Sequence, residues 1–140
     1  MKITVLVDNN TYIDRYYLAE PAVAYFIEDG EMRLLFDTGY SDVFLRNAHT
    51  LDLKNMTYLV FSHGHNDHTG GLKYLTSALN CQNTNLIAHP DCFAPKYDDN
   101  GNYIGAPFTE AEISDIFHFM PAREPLWLSP KLLFLGEITQ

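Results

Sequence analysis

Residues 61–72 read F-S-H-G-H-N-D-H-T-G-G-L, and this stretch decides how the rest of the chain is interpreted. Four of its side chains carry nitrogen or oxygen atoms that bind transition metals: His63, His65, Asp67 and His68. Imidazole and carboxylate together suit zinc, and they also suit manganese or iron. Three histidines and an aspartate within six residues are difficult to explain by packing, so we interpret the stretch as a metal-binding loop.

The residues on either side of this loop predict a strand before it and a helix after it. Residues 56–62 contain the β-prone run T-Y-L-V-F, so the loop begins where a buried strand ends. Leu72, Leu75 and Leu79 recur at helical spacing. The metal-binding loop is therefore expected at a strand-to-helix junction, with the positive end of the helix dipole beside the ligands.

The order of the four ligands predicts how they share metal ions. In extended backbone, residues two apart point the same way, so His63 and His65 are expected to hold one ion. Asp67 and His68 follow at the turn into the helix and are expected to face a neighbouring position.

The motif H-x-H-x-D-H of residues 63–68, continued by T-G-G-L, resembles the metal-binding motif of the metallo-β-lactamase fold superfamily. A second match lies upstream, because L-L-F-D-T-G at 34–39 looks like the strand and D-x-G turn that support the metal loop in that superfamily. From that position Asp37 is expected to orient an imidazole or a loop amide rather than to bind metal. Within the superfamily, the chain looks most like the branch of dihydropterin-ribofuranosyl-aminobenzene-phosphate synthases and related hydrolases.

The fold that this resemblance implies is α/β. A complete family member is an αββα sandwich of two similar halves, and residues 1–140 resemble its N-terminal half, with L-L-F-L-G-E at 132–137 near the end. We therefore expect a single domain, truncated relative to the complete fold, in which a mixed sheet carries helices on one face. The family's second half adds a histidine, a bridging aspartate and a last histidine. Two metals need about six protein ligands, and the motif offers four.

The function that the resemblance implies is hydrolysis with one or two zinc ions as the cofactor. A metal-bound water is activated for attack on an ester, thioester, amide or phosphoester bond of a small-molecule substrate, which the sequence does not identify. Asp67 is the catalytic candidate, since it would orient the attacking water as well as bind metal.

Two other functional classes compete with the hydrolase. The shortage of ligands favours a non-catalytic metal-binding or interaction subunit that needs a partner chain. A diiron redox enzyme is disfavoured, because the related family pattern has glutamate in place of His65 and carboxylate-rich sites suit iron better.

Composition and charge limit the partners. The net charge of -9 repels phosphate backbones, so a nucleic-acid partner is not expected. The sequence has no apolar run long enough to cross a bilayer and no signal segment at Met1, so we expect no membrane partner and a cytoplasmic location. Half a sandwich leaves an apolar sheet face uncovered, which predicts a homo-oligomer or a complex with a complementary C-terminal-half chain. Cys81 and Cys92 are expected to be ordinary reduced thiols.

Periodicity and turn residues place the other elements. Strands are predicted at 3–7, 22–27, 32–36, 85–88, 126–128 and 132–135, and helices at 41–48 and from 109. The tyrosine-rich loop at 8–20 either packs on itself or borders the active-site mouth. Residues 97–107 are rich in Asp, Asn and Gly and predict an exposed excursion.

Three further histidines are candidate ligands with weaker support than the motif. His89 follows a predicted strand, as His63 does, although a histidine before a proline is more often a loop residue. His49 and His118 have less in their favour still.

Overall fold

A six-stranded mixed sheet organises the chain in the computed structural model, which describes residues 1–138. The strands lie side by side in chain order: β1 (Lys2–Val7), β2 (Ala24–Asp29), β3 (Met32–Phe36), β4 (Tyr58–Val60), β5 (Asn85–Ala88) and β6 (His118–Pro121). The pairs β1–β2 and β2–β3 are antiparallel, and β3 to β6 are parallel. Parallel neighbours need crossover connections, and the helices lie in those connections.

Within residues 1–138, four α-helices and two 3₁₀-helices connect the strands. They are α1 (Val43–Asn47), α2 (Asn66–Thr69), α3 (Leu72–Ala78), α4 (Glu110–Ile116) and the 3₁₀ turns Leu53–Asn55 and Pro90–Phe93. Fully buried side chains from α1, α3 and α4 pack in one core cluster with the sheet: Phe44, Leu72, Leu75 and Ile113. The predicted α/β architecture, a mixed sheet with helices on one face, is therefore confirmed. None of the helices in residues 1–138 has the length and apolar character needed to cross a membrane.

A β-hairpin covers part of the opposite face of the sheet. Its strands are β7 (Leu126–Ser129) and β8 (Leu132–Phe134), near the positions predicted from the sequence. The hairpin packs on a second, smaller core of Leu34, Val60 and Ile87. The sheet is thus apolar on both faces, as parallel strands that are buried on both sides require.

One edge of the sheet collects the carboxyl ends of five strands. Because β2 is antiparallel to both β1 and β3, the strands β1, β3, β4, β5 and β6 all run in the same direction. The residues that follow these strands therefore lie at a common edge: Asp8, Asp37, Phe61, His89 and Ala122. In open sheets with parallel strands, this edge is where ligands bind.

Two features of the fold differ from the sequence-based expectation. The strand β6 was not predicted, because H-F-M-P has no strand signal of its own and depends on pairing with β5. Its terminal Pro121 lies on an edge strand, where a missing N–H is tolerated. The prediction that 97–107 is an exposed excursion is wrong at its end, because Gly105 and Ala106 are buried and Gly105 bridges to His65.

Candidate metal centre

The metal-binding loop begins where β4 ends and turns directly into α2. His65 is the N-cap of this helix, with extended backbone at φ -74 and ψ 155. Its carbonyl oxygen accepts hydrogen bonds from the Thr69 N–H at 3.0 Å and the Thr69 hydroxyl at 2.9 Å. This single turn of helix folds Asp67 and His68 back toward His63, whose ring centroid lies 4.1 Å from that of His68.

The ligand atoms of His63, Asp67 and His68 all lie within 4.8 Å of one another. Among residues 1–138, this is the one cluster of at least three His, Cys, Asp or Glu side chains that could hold a metal ion. His65 lies beside it, with its ring 4.9 Å from that of His63 and nearly perpendicular. The pairing of His63 with His65 on one ion stays a prediction: the His65 backbone is extended, and α2 turns the later ligands Asp67 and His68 toward His63.

The donor set fits a zinc-like ion. Two ligands of a tetrahedral ion with bonds near 2.1 Å lie about 3.4 Å apart, and Asp67 Oδ2 lies 3.3 Å from His68 Nε2. When His68 is neutral and its Nδ1 carries the proton, both of these facing atoms are acceptors. A cation between them removes their repulsion, so the pair suits a metal ion or a proton.

Asp37 fixes the orientation of His68 from behind. Its carboxylate is fully buried, with Oδ2 2.7 Å from His68 Nδ1. The Ser62 N–H donates to Oδ1 at 2.8 Å, and the Ser62 hydroxyl donates to Oδ2 at 2.7 Å. Asp37 was predicted to orient an imidazole or a loop amide, and it contacts one of each. Since Nδ1–H donates to Asp37, Nε2 is left to face Asp67 and bind a metal.

The surroundings of His63 and His68 shift their pKa values in opposite directions. The hydrogen bond to Asp37 raises the pKa of His68 above its ordinary value, although burial partly opposes this. Burial lowers the pKa of His63, and the neighbouring His68 and His65 add to the effect. His63 is therefore a neutral imidazole at pH 7, whereas a proton on His68 competes with a metal ion.

The two sequence motifs are joined backbone to backbone. The Thr38 N–H donates to the His68 carbonyl at 2.8 Å, and the Gly71 N–H donates to the Gly39 carbonyl at 3.0 Å. A side chain on Gly71 would overlap the Thr38 carbonyl oxygen, and one on Gly70 would overlap the carbonyl oxygen of Tyr40, the residue after the D-T-G turn. The glycines after the ligands thus allow the metal loop to lie directly against the D-T-G turn.

Glu20 holds that turn from the other side. Its Oε1 accepts hydrogen bonds from the Tyr40 N–H at 2.8 Å and the Ser41 N–H at 3.2 Å, and Oε2 accepts from the Ser41 hydroxyl at 2.6 Å. Sequence reasoning missed Glu20, because no local signal connects a residue at the end of a loop with a turn twenty positions later. Ser62 was also missed, although its place directly before the first ligand was a usable signal.

The other candidate histidines lie outside the cluster. His89 is at the same sheet edge, but its Nδ1 accepts the Asp91 N–H at 3.1 Å and its Nε2 lies 3.0 Å from Arg123 Nη1. His118 Nδ1 lies 2.7 Å from an Asn85 side-chain oxygen at the opposite edge. His49 Nδ1 lies 3.1 Å from a backbone oxygen near the end of α1.

The tyrosine-rich loop lies along β1 and is tied to α1, where Asn47 bonds the backbone of Leu18. Tyr12 and Tyr16 are 82% and 96% exposed. The loop leaves β1 at the ligand edge and returns there through Glu20, but Tyr12 lines a groove with Lys2 and Thr50, near the amino end of β1.

Comparison with known proteins agrees with this geometry. A family model described as the metallo-beta-lactamase superfamily matches residues 18–117. An uncharacterised protein of Methanocaldococcus jannaschii is 39% identical over 105 residues, which cover 74% of this chain and 40% of that protein. A 7,8-dihydropterin-6-methyl-4-(beta-D-ribofuranosyl)-aminobenzene-5'-phosphate synthase of the same organism is 26% identical over 150 aligned positions, covering 99% of this chain and 51% of the relative. The chain thus spans about half the length of these relatives.

Solved structures give the same answer. Tm1679, described as a metal-dependent hydrolase of the beta-lactamase superfamily, superposes with a TM-score of 0.74 at 27% identity, covering 96% of this chain and 47% of that one. The metallo-β-lactamase MIM-1 from Novosphingobium pentaromativorans shares the fold with a TM-score of 0.53 at 19% identity, over 79% of this chain and 42% of its own. The matched family model, the H-x-H-x-D-H loop and its supporting Asp37 together show that the chain belongs to the metallo-β-lactamase superfamily.

Proposed function

We propose that this chain provides the metal-binding, water-activating half of a metal-dependent hydrolase, with zinc as the metal. One observation carries the proposal: Asp67 Oδ2 and His68 Nε2 face each other at 3.3 Å while Asp37 holds the other nitrogen of His68. A neutral structural histidine gains nothing from a second acceptor at that distance, whereas a metal site requires one. A proton on Nε2 would satisfy the same two atoms, so zinc binding is the property that separates the two cases. His63 and His65 complete the proposed ligand set.

The chain's own residues have distinct parts in this reaction. Zinc, when bound, would lower the pKa of a water molecule and polarise the substrate bond that is cleaved. Asp37 keeps His68 in the tautomer whose Nε2 is free, and the Ser62 N–H and hydroxyl keep Asp37 in place. The half-buried Asp67 carboxylate would bind the metal and also accept a hydrogen bond from the attacking water. This hydrogen bond orients the water toward the substrate.

The substrate side of the proposal rests on the exposed surroundings. His63 is exposed at the carboxyl edge of the sheet, so a substrate can reach the site from solvent. The loop at 8–20 starts and ends at this edge, so its ends are placed to border a bound substrate. An ester, thioester, amide or phosphoester is the proposed bond class.

A non-catalytic metal-binding subunit is the second candidate. The described cluster holds three ligand groups with His65 beside it, which is enough for one ion, whereas a two-metal centre needs about six ligands. In either case we propose that a second polypeptide segment, from another copy or a complementary chain, adds ligands. Exposed apolar side chains on β1 and the hairpin give it a surface to cover: Ile3, Val5, Trp127 and Leu133.

Metal titration and turnover assays separate these candidates. Zinc affinity is measured by competition with a chromophoric chelator for the wild type, His63→Ala and His68→Ala, with His118→Ala as a histidine control at the opposite edge. The proposal expects at least tenfold weaker binding for the first two variants and no change for the control. Equal effects from all three would refute the site.

Turnover then decides between the enzyme and the subunit. We expect little or no hydrolysis of generic phosphodiester, thioester or lactam substrates by the isolated chain. Zinc-dependent hydrolysis, lost in Asp67→Ala, should appear once a second segment supplies further ligands. Zinc binding without any hydrolysis above the Asp67→Ala background, even with that segment supplied, would favour the non-catalytic subunit.

A further inference from the structure

Gly64, between the first two ligands, rests on the segment that follows β5. The residue is buried, and a side chain at this position would overlap the backbone carbonyl of Cys92. Cys92 belongs to the 3₁₀ turn Pro90–Phe93, which begins two residues after the strand next to β4. The position of this turn therefore sets the position of the backbone that carries His63 and His65.

The ammonium group of Lys96 links the carbonyl groups of that turn. Its Nζ donates to three carbonyl oxygens at the end of the turn: those of Asp91 at 3.1 Å, Cys92 at 2.9 Å and Ala94 at 3.0 Å. An ammonium group has three N–H donors, so all of them are used and none remains for a substrate. The same Nζ lies 2.7 Å from the place that a side-chain carbon on Gly64 would take, which puts the ammonium directly beside the metal loop.

The backbone of Lys96 reaches the other side of the loop. Its carbonyl accepts the Ile104 N–H at 2.9 Å, and the Ile104 carbonyl in turn accepts the Asn66 N–H at 2.9 Å. Gly105 bridges to His65 in the same short ladder. Lys96 thus organises both surfaces on which the metal loop lies, one under Gly64 and one beside the start of α2.

We infer that Lys96 is a positioning residue for the metal centre, which sets the separation of His63, His65 and Asp67 through the backbone on either side of Gly64. This inference rests on the proposed metal-binding function and adds a residue that binds neither metal nor substrate. Groups that orient metal ligands from outside commonly affect metal affinity by about 10- to 100-fold.

Charge and position predict opposite results when Lys96 is replaced. A positive charge beside a metal site repels the cation, so if charge were its only influence, neutral replacement would strengthen binding. If Lys96 acts by position, replacement loosens the carbonyl cluster, lets the loop shift and weakens binding. Stronger zinc binding by the variant would therefore indicate an effect of charge, and weaker binding an effect of position.

The experiment compares Lys96→Met, Lys96→Arg and Lys73→Met with the wild-type chain. Lys73 is an exposed lysine on α3, five residues after His68, and serves as a charge-matched control. Zinc affinity is measured by chelator competition, Co²⁺ binding by its visible absorption spectrum, and folding by circular dichroism. We expect Lys96→Met to bind zinc about 10- to 100-fold more weakly with an altered Co²⁺ spectrum, and Lys73→Met to match the wild type.

Lys96→Arg keeps the charge, but a planar guanidinium cannot donate from a single nitrogen to three separate carbonyl oxygens as an ammonium does. It should therefore also weaken zinc binding and alter the Co²⁺ spectrum, and it decides the outcome if Lys96→Met does not fold. Wild-type zinc affinity and a wild-type Co²⁺ spectrum in the folded Lys96 variants would overturn the inference while leaving the metal site intact. No zinc binding by the wild-type chain would instead refute the proposed function.

Discussion

Replacing Asp37 by asparagine separates the charge of the buried carboxylate from the shape of its turn. Asp37 has a φ of 56°, a left-handed conformation that asparagine tolerates better than alanine, so the backbone is expected to persist. The remaining oxygen can still accept the Ser62 N–H. The new amide, however, places N–H donors where Oδ2 now faces His68 Nδ1 at 2.7 Å. His68 must then turn or adopt the tautomer with the proton on Nε2, which is the atom proposed to bind metal.

Two effects of Asp37→Asn have magnitudes that follow from these contacts. Loss of an outer carboxylate partner weakens metal binding by about 10- to 100-fold, or about 1.4–2.7 kcal/mol. Hydrogen bonds to a charged group contribute about 1.5–3 kcal/mol each, so the metal-free protein should lose about 2 kcal/mol or more of its unfolding free energy. The pKa of His68 should fall, because its largest upward influence is the hydrogen bond to Asp37.

The assay combines an NMR titration of His68 with calorimetric zinc binding. Asp42→Asn is the matched control, because Asp42 is a carboxylate in the same connection that pairs with Arg46 at 2.8 Å on the surface. Such a pair contributes about 0–1 kcal/mol, and it does not touch the ligands. An unchanged His68 pKa together with wild-type zinc affinity in Asp37→Asn would refute the role assigned to Asp37.

Three further predictions concern pH, thiols and glycines. Because the pKa of His68 is raised, zinc affinity should fall as pH drops through that pKa, since a proton then occupies the ligand nitrogen. The metal-free protein should instead lose the stabilisation of the His68–Asp37 pair as pH rises through the same pKa. Calorimetry and melting curves between pH 5 and 8 check both effects, and flat profiles would contradict them. Burial raises the pKa of Cys81 to about 11 and that of Cys92 to about 12, so a thiol reagent at pH 8 should label the chain only in denaturant, and rapid labelling of the native protein would be contrary to this expectation. Gly71→Ala should cost about 1–3 kcal/mol in chemical unfolding because its side chain meets the D-T-G turn; Gly101→Asn, at a left-handed position with open space, is the control and should be nearly neutral.

Local sequence was sufficient for the elements that present the site. The run before His63 is β-prone and the leucines after Gly71 have helical spacing, so the strand, the loop and the following helix could be predicted. The role of Asp37 was expected from the resemblance of L-L-F-D-T-G to the family's supporting turn, and the structure gives the physical reason: Asp37 directly follows β3, the parallel neighbour of β4.

The grouping of the ligands could not be predicted, because it depends on distant contacts. The one-turn helix α2 begins at Asn66, whose N–H donates to the Ile104 carbonyl. Ile104 belongs to the segment 97–107, which the sequence predicts to be exposed and separate from the site. Glu20 and Lys96 act in the same way, across 20 or more residues of chain. Hydrophobic periodicity reports only on residues two to four positions apart, within one strand or helix. Contacts between residues 20 or more positions apart therefore leave no pattern in a single sequence.

The central claim is that Asp67 and His68 hold a metal ion through the pair of atoms that now face each other. The most direct measurement is a crystal structure of the zinc-loaded chain, with anomalous diffraction collected above and below the zinc absorption edge. We expect an anomalous peak about 2.0–2.2 Å from Asp67 Oδ2 and His68 Nε2, with His63 as a further ligand and Asp37 still bonded to His68 Nδ1. A peak located elsewhere, or a zinc ion bound through His68 Nδ1 with Asp37 displaced, would contradict it.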